Sequence, residues 1–206
     1  MSRHNCAYLQ KVNAMVILLL GLVLFLGVHS TRIVADGWRS AMIGRIGETP
    51  WKAVYALLSI VGFVLIVWGF GLARQQPVQL WMPPRGMRHL AALLTLIAFV
   101  LLAATYVPRN TIKARLHHPM VLAVKVWALA HLLSNGNLAH MILFGTFLVW
   151  AALSFRAARA RDRAAGTVYA PGTTTGTVTT VLVGALGWAL FAFWAHGALI
   201  GVRPIG

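Results

Sequence analysis

Carboxylates are nearly missing from this chain. Asp36, Glu48 and Asp162 are the only three in 206 residues, against 18 lysines and arginines. None of them lies in a long apolar stretch. A carboxylate proton relay, a sodium-coupled transporter or a two-carboxylate hydrolase needs acids buried among helices, so these classes are set aside. Cys6 is the single cysteine, which excludes an internal disulfide and a cysteine-built zinc or iron–sulfur site. Serine-hydrolase elbows and phosphate-binding glycine loops are absent too. No segment has the polar lining of a hydrophilic channel, which leaves facilitated diffusion of a neutral solute as the one transport class open. Charged residues of both signs amount to 10% of the chain, where a soluble domain carries roughly 25%.

Apolar residues fill the gap, at 59%. A spanning helix needs about 20 of them in a row, and five stretches qualify: Val12–His29, Ala53–Ala73, Leu90–Val107, Leu138–Phe155 and Val178–Val202. A sixth, Met120–Leu133, is shorter and carries Lys125 and His131. Pro119 suits its first turn, and Asn135-Gly136 suits a tight reversal after it. The expected fold is an all-α polytopic transmembrane bundle of about six helices, with helices four and five a short hairpin. Residues 1–14 read as a polar N-terminal tail and residues 15–206 as one transmembrane domain. Val28-His29-Ser30-Thr31-Arg32 lacks a small-residue cleavage site, so the first segment is expected to be a retained helix and not a secretory signal. Glycines at 62, 69, 71, 145, 184 and 187 mark expected close helix packing. Trp38, Trp51 and Trp81 suit interfacial belts, and Trp127, Trp150, Trp188 and Trp194 suit packing.

The net charge of +15 belongs to the connections. No aromatic-interleaved basic domain is present, so nucleic acid is not an expected partner. Connections 32–52, 108–118 and 156–177 hold eleven lysines and arginines. The opposite side holds six: Arg3, Lys11, Arg74, Arg85, Arg88 and Arg203. The positive-inside bias puts the first group in the cytoplasm and both termini in the periplasm of a bacterial inner membrane. The lipid bilayer is the first expected partner.

Histidine is the chemistry-bearing residue that remains. There are eight, and neutral imidazole can ligate iron in a dry site without carrying charge. His29, His131 and His196 fall in apolar segments, where each could ligate a cofactor or hydrogen-bond a neighbouring helix. On a helical wheel His118 shares a face with Lys125, and His117 shares another with His131. Lys125 either snorkels to the interface or meets an anion such as a haem propionate, a lipid phosphate or an acidic substrate.

Three stretches resemble the NnrU family of bacterial membrane proteins: Gly27-Val28-His29-Ser30-Thr31-Arg32, then Gly47–Gly62, then His118-Pro119-Met120 through Trp127-Ala128-Leu129-Ala130-His131 to Asn135-Gly136-Asn137. The same pattern is similar to that of plant 15-cis-zeta-carotene isomerase, a membrane haem b enzyme. The family resemblance implies a role linked to nitrite and nitric oxide reduction. The isomerase resemblance implies haem b held by His29 and His131, with an isomerase-like redox reaction on a hydrophobic small molecule. The isomerase has a further histidine shortly before a Gln-Leu-Trp, whereas Leu72-Ala73-Arg74 stands before Gln79-Leu80-Trp81 here. His-Pro is also similar to a motif of isoprenylcysteine methyltransferases, whose polar C-terminal region this chain lacks. The orientation above sets His29 and His131 at different depths, on the order of 15 Å apart at 1.5 Å per residue. His29 with His118 is the alternative pair, leaving His131, His140 and His196 to gather on the outer side. A haem-free accessory or assembly factor for a nitrogen-oxide respiratory complex is the alternative function.

Overall fold

Each apolar run becomes a helix, because hydrocarbon leaves unpaired backbone groups no partner. The computed structural model describes residues 3–205, with side chains from Gln10 onward. Its helices are α1 (Arg3–Val34), α2 (Asp36–Ile46), α3 (Glu48–Ala73), α4 (Met87–Tyr106), α5 (Thr111–Leu116), α6 (Pro119–Ser134), α7 (Leu138–Ala164), α8 (Thr174–Leu190) and α9 (His196–Ile200). A π-helical turn, Phe191–Ala195, joins the last two. Among the described residues five helical runs are long and apolar enough to cross a membrane: α1 from Gln10, α3, α4, α7, and α8 through α9. The sixth helix of the expected bundle is α6, whose 16 residues reach about 24 Å at 1.5 Å per residue. Helix α1 starts at Arg3, so residues 3–14 are part of it; Met1 and Ser2 of the expected tail lie outside the described residues.

Burial is inverted relative to a soluble protein. The buried apolar residues are mostly alanines, including Ala104, Ala128, Ala130 and Ala151. Large side chains such as Leu57, Phe63, Trp68, Leu186 and Trp194 are exposed. Apolar surface on that scale belongs against lipid tails, and small residues inside let backbones approach. This is an integral, multi-pass membrane protein.

Contacts within the chain fall into two units: residues 1–81 with 137–146, and residues 82–136 with 147–206. In the first, α1 and α3 run antiparallel in one register. A Cβ on Gly69 would meet the Leu18 backbone nitrogen at 2.4 Å, one on Gly21 the Ile66 nitrogen at 2.6 Å, and one on Gly62 the Phe25 nitrogen at 2.7 Å. The connection 32–52, expected as open loop, is helical through α2. That helix has no apolar stripe, and its Asp36 faces Arg32 and Arg39 at 4.0 and 3.9 Å. Gly47, at φ +87°, both ends α2 and starts α3; this left-handed conformation suits glycine.

In the second unit α4 packs against α6 and α8. A Cβ on Gly184 would meet the Val100 Cα at 2.5 Å, and the Trp188 indole donates to the Thr95 hydroxyl at 3.1 Å. Helices α6 and α7 form the expected hairpin: His118 meets Asp162 at one end, and Trp127 meets Phe147 nearer the turn. The buried Asn110 closes the α4–α5 corner. Its amide donates to the Ala104 and Val107 carbonyls, and its oxygen accepts from the Lys113 N–H.

Candidate functional site

In the first unit, His29 stands near the C-terminal end of α1. Its Nδ1 lies 2.7 Å from the Phe25 carbonyl oxygen. A carbonyl only accepts, so Nδ1 carries the proton and Nε2 is the basic nitrogen of the neutral ring. The imidazole stacks on Phe25 at 4.2 Å and meets Tyr55 of α3 at 5.2 Å. The Gly62–Phe25 approach fixes this position, since it brings α3 against the residue whose carbonyl holds the ring.

His131, in the second unit, repeats the device near the C-terminal end of α6. Its Nδ1 lies 2.9 Å from the Trp127 carbonyl oxygen, which sets the same tautomer. Trp127 flanks the ring at 5.2 Å and is itself braced by Phe147 at 5.7 Å. His196, directly after the π turn, lies within electrostatic range of His131. Its own Nδ1 is 2.6 Å from the Val202 carbonyl oxygen. Turns of π-helix inside α-helices recur at functional sites, which adds interest to this end of the second unit.

A polar cluster forms where α6 begins and α7 ends. His118 Nε2 lies 2.9 Å from Asp162 Oδ2, and the Tyr169 hydroxyl donates to the same oxygen at 2.9 Å. His117 Nδ1 stands 3.6 Å away and its ring packs on Tyr169 at 4.1 Å. His117 has φ +70°, a strained conformation for a residue with a Cβ. Burial raises the Tyr169 phenol above its ordinary range, and the hydrogen bond to the Asp162 carboxylate raises it further. The other two acids serve local helix pairs, Asp36 with Arg32 and Arg39 and Glu48 with Lys52. Asp162 alone is built into a tertiary cluster.

With this geometry in view, the sequence profile of the family described as NnrU protein matches residues 17–204. The chain belongs to the NnrU family. Comparison with curated proteins and with solved structures gives no significant match.

The NnrU chain treats its four singled-out residues differently. His29 and His131 share one tautomer but stand in different units. His118 engages Asp162 through Nε2. Lys125 is exposed on α6 and makes no ion pair with a carboxylate among the described residues. The described residues hold no group of three or more histidine, cysteine or acidic side chains able to bind a metal ion. His140 is turned toward Asn137 and Phe70 in the first unit. Tyr55, Asp162 and Tyr169 were not expected from the sequence. Asp162 had a signal, as a lone acid inside an arginine run. Tyr169, in a glycine- and threonine-rich connection, had none.

Proposed function

We propose that this NnrU protein binds haem b through His29 and His131. Its role would be linked to nitrite or nitric oxide reduction, or to an isomerase-like redox reaction on a hydrophobic substrate. One observation carries the proposal. Both imidazoles donate Nδ1–H to the carbonyl four residues upstream, and this is the hydrogen bond that orients iron-ligating histidines and raises their basicity. Each residue supports the reading by its own chemistry: an aromatic-flanked imidazole with Nδ1 committed to a backbone carbonyl, which leaves Nε2 as the basic nitrogen of a neutral ring. Bound haem would supply one-electron chemistry at its iron, with a potential set by its axial ligands and surroundings.

The chain's own residues do the rest. Phe25 and Trp127 each supply the carbonyl that aims a ring. The exposed aliphatic surfaces of α3 and α8 seat the protein in lipid. The lysine and arginine bias supports an inner-membrane location with both termini periplasmic, which cysteine labelling of connection 156–177 from either side would test.

The test of haem binding is an absorption spectrum of the full chain, expressed with haem supplied and purified in mild detergent. A bis-histidine haem gives sharp visible bands on reduction. His29→Ala and His131→Ala should each abolish or convert them. An unchanged spectrum in both single variants would refute the ligand pair. A well-folded wild type without haem would transfer the function to the accessory-factor reading.

A further inference from the structure

Helix α7 does not stop where its apolar run stops. It continues from Phe155 to Ala164 through Arg156, Arg159, Arg161 and Arg163. At about 100° per residue, Arg156, Arg159 and Arg163 fall within roughly 60° of one another. Arg161 falls on the opposite side. Phe155, Arg156, Ala157, Arg159, Ala160 and Arg163 line a recess of about 540 Å³. Its lining is mixed in character, one aromatic and two alanines with three arginines.

The acid that could neutralise this stripe is turned away from it. Asp162 sits within the run, yet His118 and Tyr169 hold its carboxylate on the α6 side. Arg156, Arg159 and Arg163 make no ion pair with a carboxylate among the described residues. Three guanidinium groups thus face one groove with their positive charge uncompensated by the protein.

The position along the helix identifies the ligand. The stripe begins at the residue after the apolar run and covers about 10 Å of axis at 1.5 Å per residue. The headgroup layer on each face of a bilayer is about 5–7.5 Å deep, given a core of about 30 Å inside a total of 40–45 Å, so the stripe crosses that layer and ends just beyond it. Arginine is suited to phosphate because its planar fork donates two parallel hydrogen bonds. We infer that Arg156, Arg159 and Arg163 form a binding groove for the phosphate of an anionic lipid, whose acyl chains run down the exposed aliphatic side of α7 past Leu153 and Val149. The groove is independent of haem and of the ligand pair proposed above.

The experiment uses the full chain in nanodiscs of equal parts phosphatidylcholine and phosphatidylglycerol, with retained lipid counted by native mass spectrometry. Affinities come from titrating detergent-solubilised protein with phosphatidylglycerol, phosphatidylcholine or inorganic phosphate while following thermal stability. Phosphatidylglycerol should be retained in preference to phosphatidylcholine. Each basic residue near a lipid surface contributes about a fivefold gain, so the triple variant Arg156→Gln/Arg159→Gln/Arg163→Gln should bind on the order of a hundredfold more weakly. Arg161→Gln, on the opposite side, should lose no more than the roughly fivefold of one basic residue near the surface. The inference is overturned by a wild type with no preference for phosphatidylglycerol. It is overturned equally by a triple variant that keeps both its helical signal and its lipid, by inorganic phosphate binding as tightly as the lipid, or by Arg161→Gln losing as much as the triple variant.

Discussion

Replacing Gly69 with alanine tests a close approach of α1 and α3. A Cβ there would lie 2.4 Å from the Leu18 backbone nitrogen and 2.8 Å from its Cα. Both are backbone atoms, so no side chain can swing aside. Relief requires α1 and α3 to part by about 1 Å, and overpacking of this kind costs about 1–3 kcal/mol. Alanine returns at most about 1 kcal/mol as a better helix former than glycine. A net loss of about 1–2 kcal/mol is expected, or roughly 2–8 °C in Tm for a chain of this size. Gly71→Ala is the matched control. It lies two residues away in the same helix with nothing within 4 Å of its Cβ, so it should be neutral or slightly stabilising. Both variants would be followed by circular dichroism during heating in detergent. If Gly69→Ala melts with or above Gly71→Ala, the glycine-lined α1–α3 interface is not what holds the first unit together.

Three further outcomes follow from other parts of the molecule. Gly62→Ala pushes on the Phe25 backbone, which aims His29, so it should shift the reduced visible bands of the haem-loaded protein more than Gly69→Ala does; equal shifts would disconnect the interface from the ligand. Asn110→Ala leaves the Ala104 and Val107 carbonyls without their amide donor and the Lys113 N–H without its cap, and should cost about 1–3 kcal/mol of stability in thermal or denaturant unfolding. The Tyr169 hydrogen bond requires the protonated phenol, whose folded pKa is raised. Its contribution is therefore complete below the ordinary tyrosine value of about 10 and is lost as pH rises through the higher folded value. A phenolate absorbance titration of wild type minus Tyr169→Phe should isolate a midpoint above about 10, and a midpoint at or below that value counts against the buried hydrogen bond.

Much of the architecture was legible because the bilayer imposes so simple a code. Runs of about 20 apolar residues become spanning helices, and Pro119 and Asn135-Gly136 punctuate the α6–α7 hairpin as their chemistry requires. The helical connections were missed for separate reasons. Asp36–Ile46 has no apolar stripe to announce α2, and Thr111–Leu116 is too short for periodicity to register. The extension of α7 was accessible to propensity, since alanine and arginine are strong helix formers. A span argument stops at Phe155 because it counts only what hydrocarbon needs. In the site, His29 and His131 stood out as ionisable groups in apolar helices. The cluster of His118, Asp162 and Tyr169 did not, because its members are far apart in sequence and depend on how the end of α7 meets the start of α6.

The two histidines share a local device. Phe25-Leu26-Gly27-Val28-His29 and Trp127-Ala128-Leu129-Ala130-His131 both place an aromatic residue four positions before the histidine, with glycine or alanine among the residues between. In a helix the carbonyl at i−4 already accepts the backbone N–H of residue i, and its second lone pair can take a side-chain donor. A histidine turned back along its own helix reaches that lone pair, while the aromatic ring at i−4 limits the rotamers open to the imidazole. The helix thereby gives a flexible, ambident side chain one defined orientation, with Nδ1 donating to a backbone carbonyl and no carboxylate borrowed. That economy matters in a chain with three acids, two of them committed to local helix pairs and the third to the α6–α7 cluster. A carboxylate hydrogen-bonded to either ring would favour its protonated, charged form, which is costly in hydrocarbon. A backbone carbonyl orients the ring without adding a charge.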